Sequence, residues 1–202
     1  MENNYTYDIT SLDLENLACK TSMRYDISTY IRDVLCNFFG LKAKIRFQGR
    51  EGVGAAGYDG ESYIPEELKN DYFPTGYSVW EISDQDNIKS KANLDYEKRL
   101  SNADTQKTYI QATFRKWNDK EKWVEEKNKD NKWKKVIALD CDDFERIFNT
   151  PQSGSARLRL LTALGKVTTG VKFIESEWNS IFSRLREKQL QPEIYLTGQT
   201  RA

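Results

Sequence analysis

"YSVWEIS", residues 77–83, decides the fold. Tyr77, Val79, Trp80 and Ile82 have no glycine or proline among them, and such a run predicts a strand. One carboxylate, Glu81, interrupts it between Trp80 and Ile82. Alternation at period two sets an acid there either on a solvated face or on a face that needs it.

Upstream lies a glycine-rich segment, 48–62, containing "GAAGYDGESY" (54–63). It reads as a hairpin loop. Asp59 in it reads either as the turn residue of an Asp-Gly pair or as a placed acid; Glu61 reads as a surface acid. Residues 64–76, with Pro65, Pro74 and Gly76, form a connection. Before the loop, "LKAKIRFQG" alternates through Leu41, Ala43, Ile45 and Phe47, which predicts a strand. Residues 10–39 read as helical. Ser11 offers a cap for Leu12, Leu14 and Leu17, and Ile27, Ile31, Val34, Leu35 and Phe38 fall on one face before Gly40 stops the helix.

Downstream, residues 85–100 predict a polar helix and "TYIQATF" (108–114) a strand. "RKWNDKEKWVEEKNKDNKW" (115–133) predicts a charged helix, and "KKVIALDCDDFERIF" (134–148) a strand entering a helix capped by Asp140 or Asp142. The order predicts an α/β (α+β) core, a mixed sheet with helices on both sides, over residues 1–150. Residues 151–202 differ: "SARLRLLTALG" and "FIESEWNSIFSRL" predict two helices that pack on the core or a partner, ahead of an extended tail.

Composition narrows the chemistry. The chain has 202 residues, enough for one domain with an appendage, and its aromatic content of 12% is too high for a disordered chain. Formal net charge is zero, so any surface facing a nucleic acid is local. There is no histidine, which excludes Ser-His-Asp, Cys-His and histidine-zinc hydrolysis. Hydrolysis would rest on carboxylates, lysine and a hard cation. The three cysteines, Cys19, Cys36 and Cys141, form no metal motif, and free thiols in a reducing cytosol fit best, with Cys36 in the core. The chain carries no signal peptide and no run of 18 apolar residues, so a soluble cytoplasmic protein without a membrane partner is expected.

Two acids on adjacent strands with a lysine can hydrolyse a phosphodiester. The acids hold Mg²⁺, and the lysine orients a water or stabilises developing charge. Asp59 and Glu81 are the right types. A lysine ordinarily stands two residues after the second acid, where this chain has Ser83. Lys89 and Lys91 open the following helix and read either as reaching the site or as a solvated helix face. "DCDD" (140–143) reads more simply as a helix cap than as a cation site.

In order, "EGVGAAGYDGE", "PTGYSVWEIS", "KANLDYEKR", "TFRKWNDKEKWVEEK" and "WKKVIALDCDDFERIF" resemble a restriction-endonuclease-like domain of the PD-(D/E)xK superfamily. Such domains stand at the N-terminus of bacterial anti-phage defence proteins with NTPase or repeat modules. The resemblance spans residues 10–198, with Tyr58 where the family usually has Trp. It implies a restriction-endonuclease-like core and an Mg²⁺-dependent DNA endonuclease, Mn²⁺ serving as well. Asp59 matches the first metal acid and Glu81 the second. Lys91 is the first choice for the catalytic lysine and Lys89 the second. Glu15 is a candidate extra metal ligand, Gln111 a supporting polar group near the site, and Arg115 and Lys116 candidate phosphate contacts. An effector of this kind is expected to be a homo-oligomer, silent until oligomerisation, an NTPase module or a phage-derived trigger releases it. The competing reading is an inactive nuclease fold used for assembly or phage sensing.

Overall fold

The computed structural model describes residues 8–20, 26–48 and 57–166. Two helices, α1 (Ser11–Cys19) and α2 (Ile27–Phe39), lead into strands β1 (Lys44–Phe47), β2 (Gly60–Ile64) and β3 (Gly76–Ile82). Then come α3 (Ile88–Arg99), β4 (Lys107–Ala112), α4 (Lys120–Lys129), β5 (Lys135–Leu139), α5 (Cys141–Phe148) and α6 (Gly154–Ala163). The five strands form one mixed sheet in chain order. β1–β2 and β2–β3 are antiparallel, while β3–β4 and β4–β5 are parallel. Parallel neighbours need long crossovers, and α3 and α4 supply them. The result is an α/β fold with helices on both faces. Among the described residues no helix is long and apolar enough to cross a membrane.

The alternation within β3 feeds two cores. Trp80 points with Ile110, Ala112 and Leu139 into the layer of α1, α2, α5 and α6. Val79 points with Tyr109 and Val136 into the layer of α3 and α4, where Trp117, Trp123 and Trp133 fill the space. β3 is therefore buried on both sides, as a central strand in a parallel arrangement must be. α6 places Leu160 and Leu161 in the first core.

Several boundaries move from their predicted places. Thr10, not Ser11, caps α1, in a reciprocal box with Asp13. Gly40 does end α2, with φ of 56°, but the chain then makes a 3₁₀ turn over Gly40–Lys42. Leu41 is consequently fully exposed, and β1 starts only at Lys44. Cys36 is exposed on α2, and the buried cysteine is Cys141. The buried α2 stripe runs through Ile27, Tyr30, Ile31, Val34 and Leu35, and Cys36 falls outside it. Asp140 caps α5, as expected of "DCDD", and Lys120 Nζ pairs with it at 2.7 Å. The helix expected at 173–185, the tail from 190 and most of the glycine-rich segment (49–56) lie outside the described residues.

Gly60 fixes the start of β2 against β1. A Cβ there would lie 2.5 Å from the Phe47 ring, which is itself packed on Trp80. Overpacking of this kind costs about 1–3 kcal/mol. Gly60→Ala is expected to lower the urea midpoint accordingly, whereas Glu61→Ala, at the exposed neighbour, should stay within about 0.5 kcal/mol.

Candidate active site

Register brings the two acids together. β2 pairs Gly60 with Trp80 and Glu61 with Val79, so one step further on the ladder Asp59 faces Glu81. The backbone holds this extension. Gln48 N donates to the Asp59 carbonyl at 3.0 Å, which continues the β1–β2 pairing. Ile82 N donates to Asp59 Oδ2 at 2.7 Å, which fixes the side chain beside β3. Residues directly opposite in an antiparallel pair share a face, with Cβ atoms about 4.5–5.5 Å apart. On the other side of β3, Glu81 pairs in register with Gln111 of β4. Gln48, Asp59, Glu81 and Gln111 thus form one row across four strands, near the C-terminal ends of the parallel pair. Open α/β sheets bind ligands at that end.

α3 covers this face. Ile88, Ala92 and Tyr96 pack on Val79 and Tyr109, and the polar flank of the same helix carries Lys91, Asp95 and Arg99. Arg99 Nε donates to Glu81 Oε1, and Arg99 Nη2 donates to the Gly57 carbonyl. The guanidinium also lies 5.0 Å from the centre of the Tyr58 ring. Lys91 Nζ pairs with Asp95 Oδ1. Tyr109 OH donates to Gln111 Oε1 at 2.9 Å. The buried Gln111 Nε2 has no hydrogen-bond partner among the described residues, which leaves a donor open beside Glu81.

Burial governs the electrostatics. It pushes the Glu81 carboxyl up to about 7; Arg99 opposes the shift, and the Asp59 and Asp95 charges add to it. Asp59 is also raised by burial, against the pull of the Ile82 N–H. Arg99 is raised: its own burial works against the charge, but Glu81 and Asp59 more than offset it. Burial raises the Tyr109 phenol too, with Glu81 and Asp95 reinforcing it.

The donor set suits a hard cation. Mg²⁺ takes one or two carboxylates and completes its shell with water and phosphate oxygens. Asp59 and Glu81 are the two carboxylates that could hold such an ion. Among the described residues no cluster of three or more His, Cys, Asp or Glu is arranged to hold an ion, so a closed all-protein cage is not what these residues build.

The other predicted residues divide. Lys91 is near enough to Asp59 for its charge to act on that carboxyl. Lys89 instead pairs with Asp119, before α4, at 2.9 Å. Glu15 lies outside the carboxylate row, its Oε1 accepting from Lys116 N at 3.0 Å. Arg115 donates to the Asp84 carbonyl and pairs with Asp86 at 2.7 Å. Lys116 pairs with Asp142. Sequence reading missed Arg99, Asp95 and Tyr109. A signal existed, because Lys91, Asp95 and Arg99 repeat at i, i+4 and i+8 beside the apolar stripe of Ile88, Ala92 and Tyr96.

No family model, curated protein or solved structure matches this chain. The fold stands on its own geometry, a mixed five-stranded sheet flanked by helices.

Proposed function

We propose that this chain is an Mg²⁺-dependent endonuclease that cleaves DNA phosphodiester bonds. The observation that carries the reading is the Asp59–Glu81 pair, opposite in register on one face. Asp59 and Glu81 would hold the ion, with Mn²⁺ able to replace Mg²⁺. When bound, it polarises a phosphate oxygen and lowers the pKa of a water. Lys91, released from Asp95, would orient that water or balance charge developing on the phosphate, the role a lysine two residues after Glu81 would otherwise take. Gln111 offers a neutral donor on the next strand. Arg99 neutralises Glu81, and its displacement toward a phosphate would free that carboxylate. The resemblance to restriction-endonuclease-like domains of defence proteins adds the biological setting, an effector held silent until oligomerisation or a partner activates it.

Plasmid cleavage tests the proposal. The full chain with Mg²⁺ or Mn²⁺ is expected to nick supercoiled DNA and then linearise it, and EDTA should stop the reaction. Intact plasmid with either ion, together with no heat of Mg²⁺ binding in calorimetry, would overturn it. A second reading is an inactive nuclease fold serving assembly. It is favoured by Arg99 engaging Glu81 and Asp95 engaging Lys91. The same two measurements separate the readings.

A further inference from the structure

The carboxylate row is one of three parallel rows on this face. Two residues along the strands, Arg46, Glu61, Val79 and Tyr109 align across β1 to β4. Two residues further, Lys44, Tyr63, Tyr77 and Lys107 align. Strand rise of about 3.4 Å per residue sets this last row about 13 Å from Asp59 and Glu81. α3 and α4 cover Val79 and Tyr109 but leave the β1–β2 side open: Lys44, Arg46 and Glu61 are exposed. Tyr77 keeps 53% of its surface.

The exposed groups have a consistent chemistry. Tyr63 and Tyr77 present neighbouring rings, 4.5 Å between centroids. Lys44 and Lys107 flank them in register, and Lys134 Nζ reaches the start of β3 beside Gly76. Arg46 stands between this row and the carboxylates. Lys44 and Arg46 make no ion pair among the described residues, and Lys107 has only a long 3.9 Å approach to Asp104. Among the described residues, Lys44, Arg46 and Lys107 thus line this face together with Glu61. A groove of about 340 Å³ along Arg46, Gln48, Tyr58, Asp59 and Glu61 meets one of about 270 Å³ along Lys44, Arg46, Tyr63, Tyr77 and Lys107. Arg46 and Glu61 line both, so the two grooves adjoin between the aromatic pair and Asp59.

We propose that this open sheet face is a track for single-stranded DNA, with bases stacking on Tyr63 and Tyr77, phosphates held by Lys44, Arg46 and Lys107, and the strand directed to the Asp59–Glu81 row. Aromatic platforms between cations are how proteins hold single strands without reading sequence. The charge supports a polyanion as occupant, and the paired rings support exposed bases. The inference rests on the nuclease reading for its purpose and on the groove for its chemistry.

The test is fluorescence anisotropy of a labelled single-stranded DNA oligonucleotide with the full chain in EDTA, where cleavage is absent. The double variant Tyr63→Ala/Tyr77→Ala is expected to bind about tenfold or more weakly, and Tyr63→Phe/Tyr77→Phe to bind as the unaltered chain does. Lys44→Gln/Lys107→Gln should weaken binding and reduce the slope of log K against log salt by about 1.4. This charge pair carries the test on its own if the alanine variant fails to fold. Unchanged affinity in folded variants, no binding of the oligonucleotide by the unaltered chain, or binding of RNA but not DNA would each overturn the track. Cleavage of the same oligonucleotide and of plasmid once Mg²⁺ replaces EDTA keeps the two ideas apart. Cleavage without tyrosine-dependent oligonucleotide binding sinks the track alone, and tyrosine-dependent binding with neither substrate cleaved sinks the nuclease alone.

Discussion

Asp59→Asn is expected to lower Mg²⁺-dependent DNA cleavage by about a thousandfold or more while leaving the fold intact. In the proposed reaction, loss of one of two anionic ligands would remove several kcal/mol of charge stabilisation. The substitution is conservative in every other respect. Asn keeps an acceptor for the Ile82 N–H, which Asp59 Oδ2 accepts at 2.7 Å, so the register of β2 on β3 survives. It also removes a charge that the fold does not favour. Asp59 is half-buried and its pKa is raised by desolvation, so the folded chain binds its proton more tightly than the unfolded chain does. Such a carboxyl lowers stability as pH rises from its unfolded value through its folded one, and a neutral amide escapes that loss. At pH 8 the variant should therefore unfold at the same urea concentration as the unaltered chain or at a higher one. Rates of plasmid cleavage and urea titrations check both halves. Undiminished cleavage would remove Asp59 from the chemistry. Lost cleavage together with lost stability would make it a structural residue.

The strand content of this fold was legible because each strand declares itself locally. "YSVWEIS" is apolar at Tyr77, Val79, Trp80 and Ile82, and its neighbours carry glycine and proline at their ends. The acid pair was legible as residue types, and the register turned the spacing of Asp59 and Glu81 into opposition across a ladder. What one strand cannot announce is which of its faces a later helix will cover. Glu81 looked equally suited to solvent, and α3 buries it to 3% exposure. The same lack of tertiary information hid Arg99, whose role depends on a carboxylate 18 residues away. Leu41 failed in the opposite way. It fits an alternating pattern, but the turn that follows Gly40 lifts it off the sheet before β1 begins. Lys89 and Lys91 were indistinguishable by spacing from Glu81. Helix phase separates them, pairing Lys91 with Asp95 and Lys89 with Asp119.

Arg99→Leu is expected to destabilise the folded chain by about 3–5 kcal/mol at pH 8, the cost of leaving a buried charge without its partner. The side chains of Arg99 and Glu81 retain only 8% and 4% of their exposure, so solvent cannot take over the pairing. The variant also abandons the Gly57 carbonyl and the Tyr58 ring. Glu81 has one escape, which is to accept a proton. Its carboxyl already stands near 7 against an ordinary 4.5, and without Arg99 it moves higher still. For an acid with a raised folded pKa, the stability present below the unfolded value is lost as pH climbs through the folded one, at up to about 1.4 kcal/mol per pH unit. The unaltered chain therefore loses this contribution between about 4.5 and 7. The variant goes on losing it above 7, and so its deficit is smaller at pH 5.5 than at pH 8. Adding Glu81→Gln to Arg99→Leu should recover most of the loss at pH 8 and flatten its pH dependence, because no buried charge then remains to be matched. Urea titrations of the four members of this double-mutant cycle at the two pH values measure the coupling directly. A deficit that is independent of pH and untouched by Glu81→Gln would mean that Arg99 acts through packing alone. The expected pattern would identify Arg99 as the group that keeps the Glu81 carboxylate ionised in the absence of a metal ion.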